Sequence, residues 1–396
     1  MKNVSKPISR RRFHTLAGSS LALSAASAWG DPPQSGSSGP TKAGGELSAS
    51  SVAVRAPAKP AGPIKCMCCD LNWVRYAKPA DLIAPAAAQD WAFIDPKEYF
   101  DWHREFGNNI MFCQAYTFGG FAFYPTKLGP VAPGPCAELL PRLMELATRA
   151  NMPFMSYMCV GADLVMSNHR PSWVIPKSRD HAPHGFLAPE SQWTDLLCQR
   201  VREFLKMFPV DWLLCDWFVY GTLKPDEALV QPAPFVEKPF REICGRPMPK
   251  TAAEIAPEEH LKYKREVLAR QFRAIRDAVR QTSPNTRICF NVPYWKADEA
   301  IWRDHPMVNE SDAIFAESDN EDVIQWALRV RKPGQRVITT IFGRTDGVCD
   351  PTAWQKWQAR GCDFFAYAWG APPDFRPLPL YHDGLKVVRE ALRAIK

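Results

Sequence analysis

Two acidic residues, Asp216 and Glu317, each follow a short apolar run that is typical of a buried strand. Asp216 ends the run VDWLLCD, and Glu317 follows the run DAIFA. A buried carboxylate is costly unless it is paired or hydrogen-bonded, so an acid at such a position needs a reason. Two carboxylates that face each other across a sugar-sized gap can hydrolyse a glycosidic bond, with one as nucleophile and one as proton donor. We therefore predict that Asp216 is the nucleophile and Glu317 the acid/base residue, with carboxyl groups roughly 5 Å apart as in a retaining mechanism.

Structural roles are the alternative for both acids. Asp216 could cap a helix or pair with a buried arginine, and Glu317 could be a loop ion-pair partner or a helix cap beside Asp319 and Glu321. Asp211, which precedes the apolar run, is expected to be structural.

The elements that position these acids follow from an alternation of short apolar runs with longer amphipathic ones. This alternation indicates repeated βα units and a parallel sheet. The predicted strands cover residues 64–70, 109–116, 153–161, 210–216, 287–293, 312–318, 336–343 and 362–370. Eight strands, each followed by a helix, predict an α/β fold of the (β/α)₈ TIM barrel type.

Two features bear on this choice of fold. A doubly wound open sheet is the competing fold, but no G-x-G-x-x-G follows the first strand. Residues 217–256 carry many prolines, and we expect them to form a loop that shapes the site or a partner surface.

A TIM barrel builds its site at the carboxyl ends of its strands, where this chain places aromatic, amide and charged residues. The aromatic residues would stack on the faces of a sugar, and the polar ones would bond its hydroxyls or a carboxylate. The predicted stacking residues are Trp73, Tyr116, Tyr157, Trp217, Tyr294 and Trp369. The predicted polar contacts are Asp70, Gln114, Asp163, Asn291 and Arg344.

Several other chemistries are disfavoured by the residues present. No strand end carries a histidine, and the run CMCC at 66–69 has no second Cys or His pair at ligand spacing, so we predict neither a metal nor another cofactor. The G-x-S-x-G motif of esterases is absent. Of the twelve cysteines, Cys113, Cys159, Cys215, Cys289 and Cys362 lie in apolar runs, where we expect small buried hydrophobes instead of a disulfide framework.

The amino terminus has the features of an export signal. The run SRRRF precedes the weakly apolar run LAGSSLALSAASA, and its small-residue end fits a cleavage site. Residues 1–28 therefore predict a twin-arginine signal peptide, the twin-arginine export machinery as a partner, and a periplasmic or secreted protein with no stable membrane span after processing. This signal contains five basic residues and no acidic one, so only +2 of the net charge of +7 remains for the rest of the chain. This small net charge disfavours nucleic acid as a partner. Residues 29–63, rich in Pro, Gly and Ser, predict a flexible linker before a catalytic domain at 64–396.

Four motifs in order carry a family resemblance: NNIMFCQAYTFGGFAFYPTKLGP, SYMCVGAD, HRPSW and VDWLLCDW. They resemble the barrel of the α-L-fucosidase-like glycoside hydrolases of glycoside hydrolase family 29, and more closely the relatives called the hypothetical glycosyl hydrolase 6 family. The resemblance covers most of residues 64–220 in motif order, and the later strands in layout only.

This resemblance implies a carbohydrate substrate and a role for Asp216 as nucleophile, because the family nucleophile follows the fourth strand. It carries the acid/base role to Glu317 less directly, because that residue varies in position within the family. Where fucosidases have a His-His-Asp-Gly-Phe run that holds the sugar hydroxyls, this chain has Thr117 to Phe121, so the resemblance does not extend to fucose. Two alternatives stay open: a non-catalytic carbohydrate-binding barrel derived from such an enzyme, and a metal-dependent hydrolase.

Overall fold

The computed structural model shows eight parallel strands that form a nearly closed barrel and alternate with helices, which confirms the predicted fold class. It describes residues 62–75, 83–85, 94–181, 185–221, 229–291, 299–317, 320–342, 351–369 and 383–396. The predicted export signal and most of the predicted linker lie outside these residues. Among the helices that are described, none combines the length and the apolar character that crossing a membrane requires.

The barrel strands coincide with the apolar runs of the sequence to within a few residues. A short antiparallel hairpin of β2 (Trp73–Arg75) and β3 (Ile83–Pro85) follows the first of them and was not predicted. The barrel strands are β1 (Lys65–Asp70), β4 (Met111–Tyr116), β5 (Phe154–Cys159), β6 (Trp212–Asp216), β7 (Arg287–Asn291), β8 (Ala313–Ala316), β9 (Arg336–Phe342) and β10 (Cys362–Trp369), and the hairpin strands are β2 (Trp73–Arg75) and β3 (Ile83–Pro85).

The helices follow the predicted amphipathic runs, with additional short ones between them. α1 shows the local reason: the Asp95 side chain accepts from the Glu98 amide at 2.8 Å, and Pro96 occupies the first turn. The helices are α1 (Pro96–Glu105), α2 (Leu139–Arg149), α3 (Leu164–His169), α4 (Ser178–His181), α5 (Trp193–Met207), α6 (Pro234–Cys244), α7 (Pro257–Thr282), α8 (Glu299–Trp302), α9 (Pro306–Glu310), α10 (Glu321–Val330), α11 (Pro351–Ala359) and α12 (Asp383–Ala394).

Part of the expected loop at 217–256 is the helix α6. Pro234 lies in its first turn, where a missing amide hydrogen costs nothing, and Gly245 ends it in the left-handed conformation at φ 78°. Val236, Phe240 and Ile243 recur at helical spacing and are buried. The proline content of the segment concealed this periodicity.

Side chains along each strand alternate between two cores. On β6, Trp212 and Leu214 point into the barrel, whereas Leu213 and Cys215 pack against the helices. The next inward position is Asp216. The same alternation of side chains therefore places this carboxylate inside the barrel, at the carboxyl end of β6. The five strand cysteines are all buried and unpaired, as expected.

Side-chain amides connect β1 to β4, where the barrel is closed without a continuous ladder. Asn109 accepts from the Lys65 amide and Asn108 accepts from the Met67 amide, both at 2.8 Å. These bonds hold the amino ends of β1 and β4 together, so the two strands are neighbours in the barrel.

Candidate functional site

Six polar side chains lie on six neighbouring strands at the carboxyl end of the barrel. The strands run in the order β8, β7, β6, β5, β4 by pairing, and β1 lies beside β4. Each of the six occupies an inward position of the alternation or the position directly after the strand. They are Glu317, Asn291, Asp216, Tyr157, Gln114 and Asp70, all of them predicted site residues.

Asn291 connects the two predicted catalytic acids. Its Nδ2 donates to Oδ1 of Asp216 at 2.6 Å and to Oε2 of Glu317 at 2.5 Å. Because both oxygens contact one nitrogen, they are at most about 5 Å apart, which is within the range of two carboxylates that act on one glycosidic bond. The structure thus brings together the pair that the sequence suggested, and Asn291 is the residue between them.

Asp216 receives further hydrogen bonds from Tyr157 and Trp217. The Tyr157 hydroxyl donates to Oδ2 at 3.0 Å, and the Trp217 amide donates to Oδ1 at 2.7 Å. Burial, together with the charge of Asp216, raises the pKa of Tyr157 well above its usual value, so this hydroxyl stays protonated as a donor. Donors on both oxygens suit a charged carboxylate with a fixed orientation.

Two buried acceptors of the site have no hydrogen-bond partner among the described residues. These are Oδ1 of Asn291, whose nitrogen is already used by the two acids, and Oε1 of Gln114. Both residues are almost fully buried, and Gln114 Nε2 lies 3.5 Å from the carbonyl of Cys69. An unpaired buried acceptor is costly, so each of these atoms needs a hydrogen-bond donor that the described residues do not supply.

Trp217 has an unusual backbone directly after Asp216. Its φ is 58°, which is rare for a large side chain and costs on the order of 1–3 kcal/mol. Gly161 allows this conformation, because a Cβ at residue 161 would lie 2.1 Å from the Trp217 carbonyl oxygen. The Trp217 ring packs against Phe118 at 5.1 Å and Phe186 at 6.1 Å between centroids, which forms an aromatic wall beside Asp216.

Phe118 lies in the stretch Thr117 to Phe121, where the sequence resemblance implies a polar run, and it was not among the predicted site residues. The stretch forms a tight turn in which the Thr117 amide donates to Phe121 O and the Gly120 amide donates to Thr117 O. Phe118 points into the barrel. Here the chain therefore presents an aromatic ring where the resemblance implies polar contacts.

Asp70 lies at the opposite end of the six side chains from Glu317. Its Oδ1 accepts from the Asn72 side chain at 2.8 Å, and Asn72 in turn accepts from the Phe118 amide at 2.6 Å. Asp70 is buried and belongs to a network that holds the turn at Phe118. It is near enough to Tyr157 for its charge to contribute to the raised pKa of that hydroxyl.

Tyr116 is not brought to this group, contrary to its predicted stacking role. The pairing register between β4 and β5 shifts between Gln114 and Tyr116, and this irregularity turns Tyr116 to the outer core. There its hydroxyl hydrogen-bonds with Thr126 at 3.0 Å, and the Arg200 guanidinium lies over its ring at 4.2 Å.

Asp163 also lies apart from the six side chains. It caps α3 by accepting from the Met166 amide at 2.7 Å, and it forms a buried ion pair with Arg200 at 2.7 Å. With 3% of its surface exposed and both oxygens engaged, Asp163 has a structural environment in place of the predicted substrate contact.

Four other predicted residues cannot be placed by their side chains. Tyr294 and Arg344 lie outside the described residues, and the structure describes only the backbone of Trp73 in β2 and Trp369 in β10. The register pairs Trp369 with Asp70, so Trp369 is at the carboxyl end of the barrel. Within the ranges that the structure describes, no three His, Cys, Asp or Glu side chains are grouped as metal ligands.

Comparison with solved structures finds α-L-fucosidases. The chain is similar to α-L-fucosidase isoenzyme 2 from Paenibacillus thiaminolyticus, with 15% identity and a TM-score of 0.54 over 74% of this chain and 46% of that one. It is also similar to α-L-fucosidase AlfC from Lactobacillus casei, with 14% identity, a TM-score of 0.46 and coverage of 78% and 82%. A third match is the α-fucosidase of Thermotoga maritima, with 14% identity, a TM-score of 0.42 and coverage of 76% and 58%.

The match to the Paenibacillus enzyme supports a fucosidase-like fold. The chain spans less than half the length of the Paenibacillus enzyme. No protein-family model matches the sequence, and no curated protein matches it. The closer resemblance to the hypothetical glycosyl hydrolase 6 family therefore gains no support from them.

Proposed function

We propose that this protein is a retaining glycoside hydrolase in which Asp216 is the nucleophile and Glu317 the acid/base residue. The observation that carries the proposal is the bridge of Asn291 Nδ2 between the two carboxylates. Oδ1 of Asp216 and Oε2 of Glu317 are at most about 5 Å apart, which fits the spacing of a retaining pair.

In the first step, a carboxylate oxygen of Asp216 bonds to the anomeric carbon of the sugar. The glycosidic bond breaks, and Glu317 donates its proton to the leaving oxygen. The hydrogen bonds from Tyr157, Trp217 and Asn291 hold the Asp216 carboxylate in one orientation for attack.

In the second step, the Glu317 carboxylate takes a proton from water, and the resulting hydroxide attacks the anomeric carbon. The bond to Asp216 breaks, the sugar hemiacetal leaves, and Glu317 is protonated again. Asn291 contacts both acids and can hold them at a fixed separation through both steps.

The free acceptors of the site support a hydroxyl-bearing sugar as the substrate. Asn291 Oδ1 and Gln114 Oε1 have no hydrogen-bond partner among the described residues, and sugar hydroxyls are donors that would satisfy them. The aromatic pair of Phe118 and Trp217 offers an apolar wall for one face of the ring. We leave the sugar unassigned, because Phe118 occupies the stretch where the resemblance implies the histidines that hold fucose.

The second candidate is a carbohydrate-binding barrel without catalysis. The observation that favours it is the turn from Thr117 to Phe121, which lacks the histidines and the acid of the family run. Such a protein would bind a sugar at the same carboxyl end but would not turn it over.

A panel of aryl glycosides distinguishes the two. We expect the protein comprising residues 29–396 to hydrolyse at least one member, Asp216→Asn to lose about 10³-fold or more in kcat, and Glu317→Ala to regain turnover with added azide. Asp211→Asn is the matched control, because Asp211 is at the amino end of the same strand and accepts from the Phe154 amide. Undiminished hydrolysis by Asp216→Asn would remove the nucleophile assignment, and binding without turnover by the wild type would establish the second candidate.

We also propose that the protein is exported through the twin-arginine route and acts outside the cytoplasm. The proposal is supported by the arginine run, the weakly apolar segment and the small residues at its end in residues 1–28.

A further inference from the structure

Glu190 contacts the segment that follows the proposed nucleophile and was not among the predicted site residues. It lies just before α5, and its Oε1 accepts from the hydroxyl of Tyr220 at 3.1 Å and from that of Tyr263 at 2.5 Å. Its Oε2 is buried without a hydrogen-bond partner among the described residues. Tyr220 is in the segment directly after Asp216, and Tyr263 is on α7.

The residues from Phe186 to Glu190 contact this segment at both of its ends. Phe186 packs against Trp217, whose amide donates to Asp216, and Glu190 accepts from Tyr220. This segment begins with Trp217 in a left-handed backbone conformation. Such a strained conformation persists only where surrounding contacts stabilise it. The hydrogen bond from Tyr220 to Glu190 is one such contact, and the hydrogen bond from Tyr263 connects Glu190 to the long helix α7.

Building on the proposed function, we propose that Glu190 is a positioning residue: through Tyr220 it fixes the segment Trp217 to Gly221, and thereby the orientation of Trp217 and Asp216. The Glu190 carboxyl acts on Asp216 through this segment, since its hydrogen bonds go to Tyr220 and Tyr263.

The protonation of Glu190 makes this role measurable as a dependence on pH. Burial raises the pKa of Glu190 from 4.5 to about 7, although the two tyrosine hydroxyls act in the opposite sense. Burial also raises the pKa of Tyr220 and that of Tyr263, so both hydroxyls remain protonated donors. These tyrosines are the ionisable groups that contact Glu190 from the two elements packed against it, and no described lysine, arginine or histidine bonds to it.

The sign of the pH effect follows from proton linkage. A carboxyl that is released into water when the segment opens returns to its ordinary pKa of 4.5, below its pKa of about 7 in the closed segment. Glu190 therefore binds its proton more tightly when the segment is closed. The resulting stabilisation of the closed segment is complete below pH 4.5 and is lost as the pH rises to about 7. Above that pH the buried charge favours opening.

Hydrogen exchange followed by mass spectrometry tests this without any substrate. The experiment compares peptides that span residues 216–221 in the wild type and in Glu190→Gln at pH 6 and pH 8, because comparison at one pH cancels the intrinsic exchange rate. Glu190→Gln keeps an oxygen for the two tyrosines but cannot ionise. We expect the protection of the wild type relative to Glu190→Gln to fall about tenfold between pH 6 and pH 8. If the ratio of the exchange rates of the two proteins is the same at pH 6 and pH 8, the proposal is overturned.

A second variant covers the case in which Glu190→Gln does not fold. Tyr220→Phe removes the hydrogen bond between the segment and Glu190 and leaves the bond from Tyr263 to Glu190 in place. We therefore expect faster hydrogen exchange of residues 216–221 at both pH values. Tyr263→Phe is the matched control, because it removes the other donor and leaves the link to Tyr220. Unchanged exchange in Tyr220→Phe would overturn the proposal.

Turnover separates this proposal from the proposed function. With a glycoside that the wild type hydrolyses, kcat of the wild type relative to Glu190→Gln should fall as the pH rises to about 7 and stay at the lower value above it, while KM of the two stays equal. If no glycoside is hydrolysed but the exchange difference is present, the positioning role stands and the proposed function fails. If hydrolysis is present and kcat of both proteins has the same pH profile, the positioning role is overturned.

Discussion

At the scale of single residues, the site is defined by one amide between two acids. Asp216 and Glu317 were predictable, because each follows a buried strand and the alternation of side chains directs the inward row to the site. The shared hydrogen bonds of Asn291 were not predictable, because strand order and residue type do not give the distance between two side chains on different strands. The sequence placed Asn291 only among the polar residues at the rim.

Substitution of Asn291 tests this description. Asn291→Ala removes a hydrogen bond to each acid, and a bond to a charged group is worth about 1.5–3 kcal/mol, so we expect kcat/KM to fall about 10- to 100-fold. Steady-state kinetics with the best glycoside of the panel provide the measurement.

Asn109→Ala is the control for a purely structural asparagine. Asn109 connects β1 to β4 at the amino end of the barrel, so its loss should lower the melting temperature and leave kcat/KM within about twofold of the wild type. If Asn291→Ala also stays within twofold, the bridge has no role in turnover.

At the scale of elements, local irregularities decide which predicted residues reach the site. Strict alternation along β4 predicts that Gln114 and Tyr116 point the same way, but the shift in register between them turns Tyr116 outward. A bulge of this kind has no sequence signature as clear as apolar periodicity. Asp163, the fourth residue after its strand, likewise caps α3 and forms an ion pair with Arg200.

The turn at Gly120 provides a test at this scale. Gly120 has φ 89°, and a Cβ there would lie 2.3 Å from Oδ1 of Asp163, whereas Gly245 has φ 78° with nothing within 4 Å of the added Cβ. Gly245→Ala should cost about 1–2 kcal/mol in the free energy of unfolding, which is the strain of a left-handed alanine. Gly120→Ala should cost at least about 2 kcal/mol more, because it also disturbs the buried pair of Asp163 and Arg200.

Urea denaturation of the two glycine variants measures the difference. Equal losses would mean that Asp163 moves away at no cost and that the turn is less constrained than the contacts imply.

At the scale of the whole molecule, the barrel was predictable and the substrate was not. Eight apolar runs separated by amphipathic ones leave few other folds, and all eight strands form where they were expected. The strand order also predicts that acids from the fourth and sixth barrel strands face one cleft. The sugar is set by side chains on loops, and loop conformation does not follow from periodicity.

Export is a prediction for the whole molecule, and cell fractionation tests it. Replacing Arg10, Arg11 and Arg12 by lysine preserves the charge of the signal but removes the guanidinium groups, so we expect the protein to remain in the cytoplasm at its precursor length. The wild type should be found outside the cytoplasm without residues 1–28. Export of the lysine variant at the wild-type level would contradict the twin-arginine assignment.

The most direct test of the central claim is to trap the covalent intermediate that a retaining mechanism requires. Glu317→Ala should form a glycosyl ester from an activated aryl glycoside and break it down slowly, because no base is left to activate water. Intact-mass analysis followed by peptide mapping should show one added glycosyl group, located on Asp216. A burst of aryl alcohol without any adduct, or an adduct on a residue other than Asp216, would contradict the account.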